Sequence, residues 1–302
     1  MKGPHSKCGR SVTPAQEFKS LHLRHGSLQA LPSRSFLLLY QGDFMKITVL
    51  AENTGINENM IIEHGLSLYI ETDNHKILFD MGQSEAFAQN ADVLGINLEE
   101  VDFAILSHGH YDHGGGLGKF LEINRKAPLY IQSQAFEPHF NGSEKYIGLD
   151  KALQSNPRIV FTEDYMNLAD NIHLYSCNDK DKKFDLDFSR LNKIVNGQLV
   201  PDDFLHEQYM LIEENGKKIL ISGCSHKGIL NIVNWFDADV IIGGFHYSKF
   251  PLDDTLKEYT GYLDSTNAEF YTCHCTGVPQ FEFMQKYMKN LSYLSTGMSI
   301  EI

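Results

Sequence analysis

From residue 45 onward the chain alternates short apolar runs with stretches whose apolar residues recur every three or four positions. "KITVLAE", "LSLYIET" and "HKILFDMG" read as three early strands, with residues 73–75 as a tight turn between the second and third. "SEAFAQNADVLG" carries apolar residues at helical spacing and stops at Gly95, a residue type suited to a helix C-terminus. "VDFAILSHGH" is an apolar strand that runs straight into a cluster of histidines. The second half repeats the theme. "YMLIEENGKKILISGCSH" predicts a hairpin turning at Asn215 and Gly216, followed by a helix near 228–236, a buried strand "DVIIGGFH", a helix near 253–264 and a strand "AEFYTCHCTG". Residues 137–187 break the alternation and read as an irregular polar insert covering a site. The pattern is one domain of two β-rich halves with helices outside.

Composition narrows what such a domain does. The chain has 302 residues and a 42% hydrophobic fraction, ordinary for a globular protein. No apolar run approaches the roughly 18–20 residues of a membrane span. A net charge of −13 disfavours the basic groove of a nucleic-acid-binding protein. The expected partner is therefore a small molecule, with neither nucleic acid nor membrane; association with further copies of the chain stays open. Charge also divides the chain, because residues 1–44 hold six Lys or Arg against two acids while acids outnumber bases in the rest. Residues 1–44 are thus expected to be an extension outside the core, and residues 45–302 the domain. The five cysteines show no disulfide framework, so reduced thiols and a cytoplasmic location are expected.

Residues 107–116, "SHGHYDHGGG", concentrate the chemistry. Gly109 and the run of glycines at 114–116 argue against the helix on which zinc proteases carry their histidines, so the motif is expected in a loop at the end of its strand. In extended backbone alternate side chains share a face, which lets His108 and His110 converge on one metal ion while Asp112 and His113 reach a second. The glycines allow a tight path into a following helix, "LGKFLEIN". "CHC" at 273–275 lacks the second Cys-x-x-Cys half of a structural zinc site. On a continued strand, Cys273 and Cys275 would both point away from His274.

The run His108-x-His110-x-Asp112-His113 after an apolar strand resembles the signature of the metallo-β-lactamase superfamily. "ILFDMG" at 77–82 resembles that superfamily's early strand, with Asp80 the acid that orients a metal-bound histidine. "ISGCSHKGILNIV" at 221–233, "GGFH" at 243–246 and "CHCTG" at 273–277 resemble the subgroup of 7,8-dihydropterin-6-methyl-4-(β-D-ribofuranosyl)aminobenzene-5′-phosphate synthase-like proteins. The resemblance implies an α+β, four-layer αββα sandwich and two divalent metal ions, most readily zinc, with manganese or iron as alternatives. It implies that His108, His110 and a later histidine hold one ion, and Asp112, His113 and His274 the other. His226, at a strand end, is favoured for that later histidine over His206. Where many members carry a bridging aspartate, this chain has Cys224, either a soft metal ligand or a small buried residue.

A pair of divalent ions about 3.5–4 Å apart brings the pKa of a bridging water toward 7. Asp112 and His246 are the candidate catalytic groups, Asp112 by accepting or passing on a proton and His246 by donating one or by binding an anion. Lys227, Tyr247 and Lys249 flank the same motifs, and a helix beginning after Lys227 would offer N–H groups to an anion. The expected activity is metal-dependent hydrolysis of a small anionic ester, phosphoester, thioester or lactone. The alternative is a metal-containing ligand-binding or biosynthetic protein of the synthase-like type.

Overall fold

The computed structural model describes residues 45–185 and 190–302, so the extension expected over residues 1–44 lies outside the described residues. The first half runs through β1 (Lys46–Ala51), β2 (Ser67–Glu71), β3 (Lys76–Phe79), α1 (Ala86–Leu94), β4 (Phe103–Leu106), α2 (Tyr111–Gly114), α3 (Leu117–Ile123) and β5 (Leu129–Gln132). A middle stretch supplies β6 (His139–Asn141), β7 (Lys145–Tyr146), β8 (Ile159–Thr162), β9 (Tyr165–Ala169), β10 (Ile172–Tyr175), β11 (Leu191–Val195) and β12 (Gln198–Pro201). The second half adds β13 (Tyr209–Glu214), β14 (Lys217–Ile221), α4 (Ile229–Trp235), β15 (Val240–Gly243), α5 (Asp254–Asp264), β16 (Glu269–Thr272), α6 (Val278–Met284), β17 (Leu291–Tyr293) and β18 (Ser299–Glu301).

Two seven-stranded sheets result, ordered β18-β1-β2-β3-β4-β5-β8 and β17-β16-β15-β14-β13-β10-β9. The strict alternation of the central strands explains how they stack. Ile77 and Phe79 of β3 and Phe103 and Ile105 of β4 enter one apolar cluster with Ile219 and Ile221 of β14 and Val240 and Ile242 of β15. The intervening residues point outward. Leu78, Ala104 and Leu106 meet Phe87 and Ala91 of α1 and Phe120 of α3, while Leu220 and Ile241 meet Ile229, Leu256 and Met284 of the later helices. Each fully buried aliphatic or aromatic side chain contributes about 1.5–3 kcal/mol by leaving water. The layers are helix, sheet, sheet, helix, as expected for the αββα sandwich.

Two expectations need correction. The middle stretch is not irregular: β8 extends the first sheet, β9 and β10 the second, and β6, β7, β11 and β12 form a four-stranded sheet of their own. Its strands are two to five residues long with little alternating apolar pattern, so they carry a weak sequence signal. Secondly, a helical turn, α2, follows His110 at once and carries Asp112 and His113. Gly114 and Gly115 are tolerated there because the turn is only one turn long and its neighbours leave no room for a Cβ.

Candidate metal centre

Parallel strands bring the site together. β4 runs parallel to β3 and β5, and β14, β15 and β16 run parallel to one another. The loops leaving the C-terminal ends of β4, β14, β15 and β16 carry residues 107–113, 222–226, 244–246 and 273–275. Close approach of these loops requires glycine. A Cβ on Gly109 would sit 2.2 Å from the Ala135 carbonyl oxygen, and one on Gly223 would sit 2.1 Å from Ser107 Oγ. Asp80, Ser225, His246 and His274 all take left-handed backbone conformations, with φ between 49° and 60°. For residues other than glycine each such turn costs on the order of 1–3 kcal/mol and persists only where its surroundings hold it.

Buried carboxylates provide that hold. Asp80 Oδ1 accepts the backbone N–H of Ser107 at 2.7 Å, and its Oδ2 accepts the Ser107 hydroxyl at 2.7 Å and His113 Nδ1 at 2.6 Å. Because the hydroxyl donates to Asp80, its oxygen accepts from His108 Nδ1 at 2.8 Å. Glu207 accepts the backbone N–H groups of His226 and Lys227 and the Tyr209 hydroxyl. Glu52 accepts the His274 N–H at 2.6 Å, and Asn53 Oδ1 accepts from His274 Nδ1 at 2.9 Å. His108, His113 and His274 thus each commit the Nδ1 proton to an acceptor and present Nε2 to the site, the tautomer that metal-binding imidazoles adopt.

Two donor groups face each other. In the first, His108, His110 and His226 have ligand atoms within 4.8 Å of one another, with 3.3 Å between the Nε2 atoms of His108 and His226. Burial holds all three imidazoles well below the ordinary histidine pKa, which keeps them neutral with a lone pair available. The second group comprises Asp112, His113, His274 and Cys224. His113 Nε2 lies 3.3 Å from His274 Nε2 and 3.1 Å from Cys224 Sγ, and Asp112 Oδ2 lies 3.4 Å from His274 Nε2. Burial alone would raise the Asp112 carboxyl, but the imidazoles of His274 and His64 beside it hold it well below the usual range. Nε2 atoms brought this close, with the Nδ1 protons of His108, His113 and His274 directed to acceptors on their far side, fit cations in both groups.

The remaining expected residues divide. His246 borders the site, its ring 4.4 Å from that of His226, and shares a possible ligand cluster with Cys224 and His226. Lys249 lines the cavity. Lys227 does not: it is buried, and its ammonium donates to the Ser176 carbonyl, Asn178 Oδ1 and the Glu207 carbonyl. Burial pushes its pKa down to about 8. Tyr247 is fully buried against Phe250 and Tyr259. The turn before α4 is likewise closed to an anion, since the Glu207 carboxylate already takes the His226 and Lys227 N–H groups.

His206 is engaged elsewhere. Its Nδ1 accepts the Gly109 N–H at 2.9 Å, so its proton sits on Nε2, toward Asp202, and neither nitrogen is left for a metal. Cys275 departs from expectation in the other direction. β16 ends at Thr272, and a 3₁₀ turn over His274–Thr276 replaces the continued strand, so Cys275 joins Cys224 and His274 in one cluster while Cys273 enters the core between the sheets.

A cavity of about 320 Å³ opens over both groups and is lined in part by Asp112, Cys224, His226 and His274. Lys145, Arg190 and Lys249 also line it, the first two beside the four-stranded sheet. Sequence reasoning named Lys249 but missed Lys145 and Arg190 of this cationic rim, as well as His64, whose Nε2 lies 3.2 Å from Asp112 Oδ2.

This fold, with histidines and an aspartate gathered at the strand ends, defines a class: the chain belongs to the metallo-beta-lactamase superfamily, whose family model matches residues 62–269. That is a superfamily of enzymes. Among individual proteins, the chain is 29% identical over 285 residues to the 7,8-dihydropterin-6-methyl-4-(beta-D-ribofuranosyl)-aminobenzene-5'-phosphate synthase of Methanocaldococcus jannaschii, covering 86% of this chain and 97% of that protein. Tm1679, a metal-dependent hydrolase of the beta-lactamase superfamily, superposes with a TM-score of 0.74 at 28% identity, over 85% of this chain and 99% of its own. YhfI from Bacillus subtilis, a metallo-beta-lactamase fold protein, shares the fold at 16% identity and a TM-score of 0.55, over 86% of this chain and all of its own. No helix among the described residues is long and apolar enough to cross a membrane.

Proposed function

We propose that the protein is a cytoplasmic metal-dependent hydrolase of a small anionic ester, phosphoester, thioester or lactone. The observation that carries the reading is the cationic rim of Lys145, Arg190 and Lys249 on the cavity that covers the two donor groups. His108, His110 and His226 would hold one ion; Asp112, His113 and His274 would hold the other, with Cys224 between them. A mixed nitrogen, oxygen and sulfur donor set of this kind suits zinc, with manganese or iron as alternatives. Bound there, a pair of divalent ions supplies an activated water near neutral pH and polarises the oxygen of the electrophile.

The protein's own residues do the rest. Lys145, Arg190 and Lys249 hold the substrate's anionic group, which counters the repulsion expected from a chain of net charge −13. Asp112, held as a carboxylate, accepts the proton released by the attacking water, and His246 contacts the anionic group or donates to the leaving oxygen.

The test compares matched anionic and neutral esters for wild type, His110→Ala and Lys145→Ala, with metal content measured on protein purified without added metal. Two ions per chain, loss of turnover in His110→Ala, and an anion preference that shrinks about tenfold in Lys145→Ala are expected. Equal kcat/KM for neutral and anionic partners would sink the substrate assignment.

A second reading rests on the name of the archaeal relative, a synthase whose product carries a 5′-phosphate. The same rim would then position a phosphorylated substrate for bond formation, and a condensed product in place of hydrolysis would establish it.

A further inference from the structure

Behind the first donor group lies a buried cluster that shares His110 with it and adds three residues the reaction does not use. One ring nitrogen from each of His110, His139 and His206, with a carboxylate oxygen of Asp202, lie within 4.8 Å of one another. These four residues come from the β4 loop, from β6 and from the segment between β12 and β13. His139 and Asp202 are 63 residues apart, so no local pattern could announce them.

Hydrogen-bond accounting assigns every proton but one. Asp202 Oδ1 accepts the Phe204 N–H at 2.8 Å, and its Oδ2 accepts from His139 Nδ1 at 2.8 Å and His206 Nε2 at 3.3 Å. His206 Nδ1 accepts the Gly109 N–H, which anchors the loop between His108 and His110. Since His139 donates through Nδ1, its Nε2 carries a bare lone pair, and this enclosed atom has no partner among the described residues. His110 Nε2 is enclosed and without a partner in the same way. Because His110 also borders the cavity, Nδ1 is the nitrogen left to face a metal ion, and the ring's proton then belongs on Nε2. The rings of His110 and His139 meet edge to face with centroids 5.6 Å apart.

We infer that His139, held by Asp202, is a positioning residue: its unpartnered Nε2 would accept the Nε2 proton of His110 once His110 Nδ1 takes the first metal, closing a contact that this structure leaves open. The cluster is a carboxylate–histidine–histidine relay behind that ligand, not a third metal site, because His206 offers no free lone pair. Removing such a partner typically weakens metal binding 10–100-fold.

The inference rests on the metal centre proposed above, and zinc binding by the wild-type protein tests that centre separately. Zinc affinity, measured against a chelating indicator, is compared for wild type, His139→Leu and His139→Gln, with melting of the metal-free proteins recorded alongside. Leucine can neither accept nor donate, whereas the glutamine amide can accept from His110 and donate to Asp202. His139→Leu should bind one of the two zinc ions 10–100-fold more weakly, and His139→Gln should stay within about threefold of wild type. Should His139→Leu fail to fold, Asp202→Asn, which keeps the size of the side chain, should weaken the same ion by about tenfold. Wild-type affinity in His139→Leu, equal weakening in Leu and Gln, or loss of a third zinc ion in Asp202→Asn would each overturn the inference.

Discussion

Asp80 accepts three hydrogen bonds within one buried carboxylate, and through them it governs two ligands at once: His113 directly and His108 by way of the Ser107 hydroxyl. Asp80→Asn keeps the shape but presents an N–H₂ where an acceptor is needed, which frees the tautomers of both rings. Zinc affinity should fall 10–100-fold, read by competition with a chelator, and unchanged affinity would show that the rings are held by packing alone. Acid should act on the same region through His206. Burial lowers its pKa from 6.5 to about 4, while Asp202 opposes this and the neighbouring His139 and Lys227 add to it. Between those values the unfolded chain binds a proton that the native protein refuses, so native stability is full above about 6.5 and is lost as pH falls toward 4, by about 1.4 kcal/mol per pH unit for such a group. Urea midpoints of metal-free protein at pH 7, 5.5 and 4 check this, and a flat profile would contradict it. Asp80 was readable in the sequence through the resemblance of "ILFDMG" at 77–82 to the superfamily's early strand. Glu52, Glu207 and Asp202 were not, because each acts on a loop distant in the chain.

The loops that carry ligands are short, and their geometry depends on close packing between strand ends. Gly223, after β14, lies against Ser107 and His108 after β4, and the Cβ of an alanine there would be 3.1 Å from His108 Nδ1 as well as 2.1 Å from Ser107 Oγ. Ser107 cannot yield without releasing Asp80, so the β14 loop must move instead. Gly223→Ala should leave the far-UV spectrum intact and lower zinc occupancy in both donor groups, since His226 belongs to the first and Cys224 to the second; full occupancy would mean that the loops slide freely. At this level the sequence was most informative where one signal dominated. The hairpin at Asn215 and Gly216 is announced by residues that accept positive φ, and both do so, at 53° and 76°. α1 ends at Gly95 in the left-handed conformation, as its spacing indicates. The turns α2 and His274–Thr276 were hidden because tertiary hydrogen bonds impose them. The first has a glycine run, and the second sits where a strand pattern simply continues in sequence.

Across the whole molecule, the pattern made two β-rich halves with helices outside legible, and the resemblance implied the αββα layering, in which consecutive apolar residues of β3, β4, β14 and β15 face two separate hydrophobic surfaces, one between the sheets and one beneath helices. β1 is paired on both sides, by β18 and β2, so the strand nearest residue 45 is interior to its sheet. Met45 is itself buried in the cluster between the sheets, and its carbonyl accepts the N–H of Ile302. Both ends of the described residues therefore close against each other, and the basic composition of residues 1–44 contrasts with the acidic remainder. A chain begun at Met45 should keep its zinc content and turnover, with a melting temperature within about 2 °C of the full chain, since a change of 1 kcal/mol moves a protein of this size by only about 2–4 °C. Calorimetry of the two proteins at matched zinc decides the point. A drop of 10 °C or more, or the loss of one zinc ion, would place residues 1–44 in the core or at the metal centre and overturn the division at residue 45.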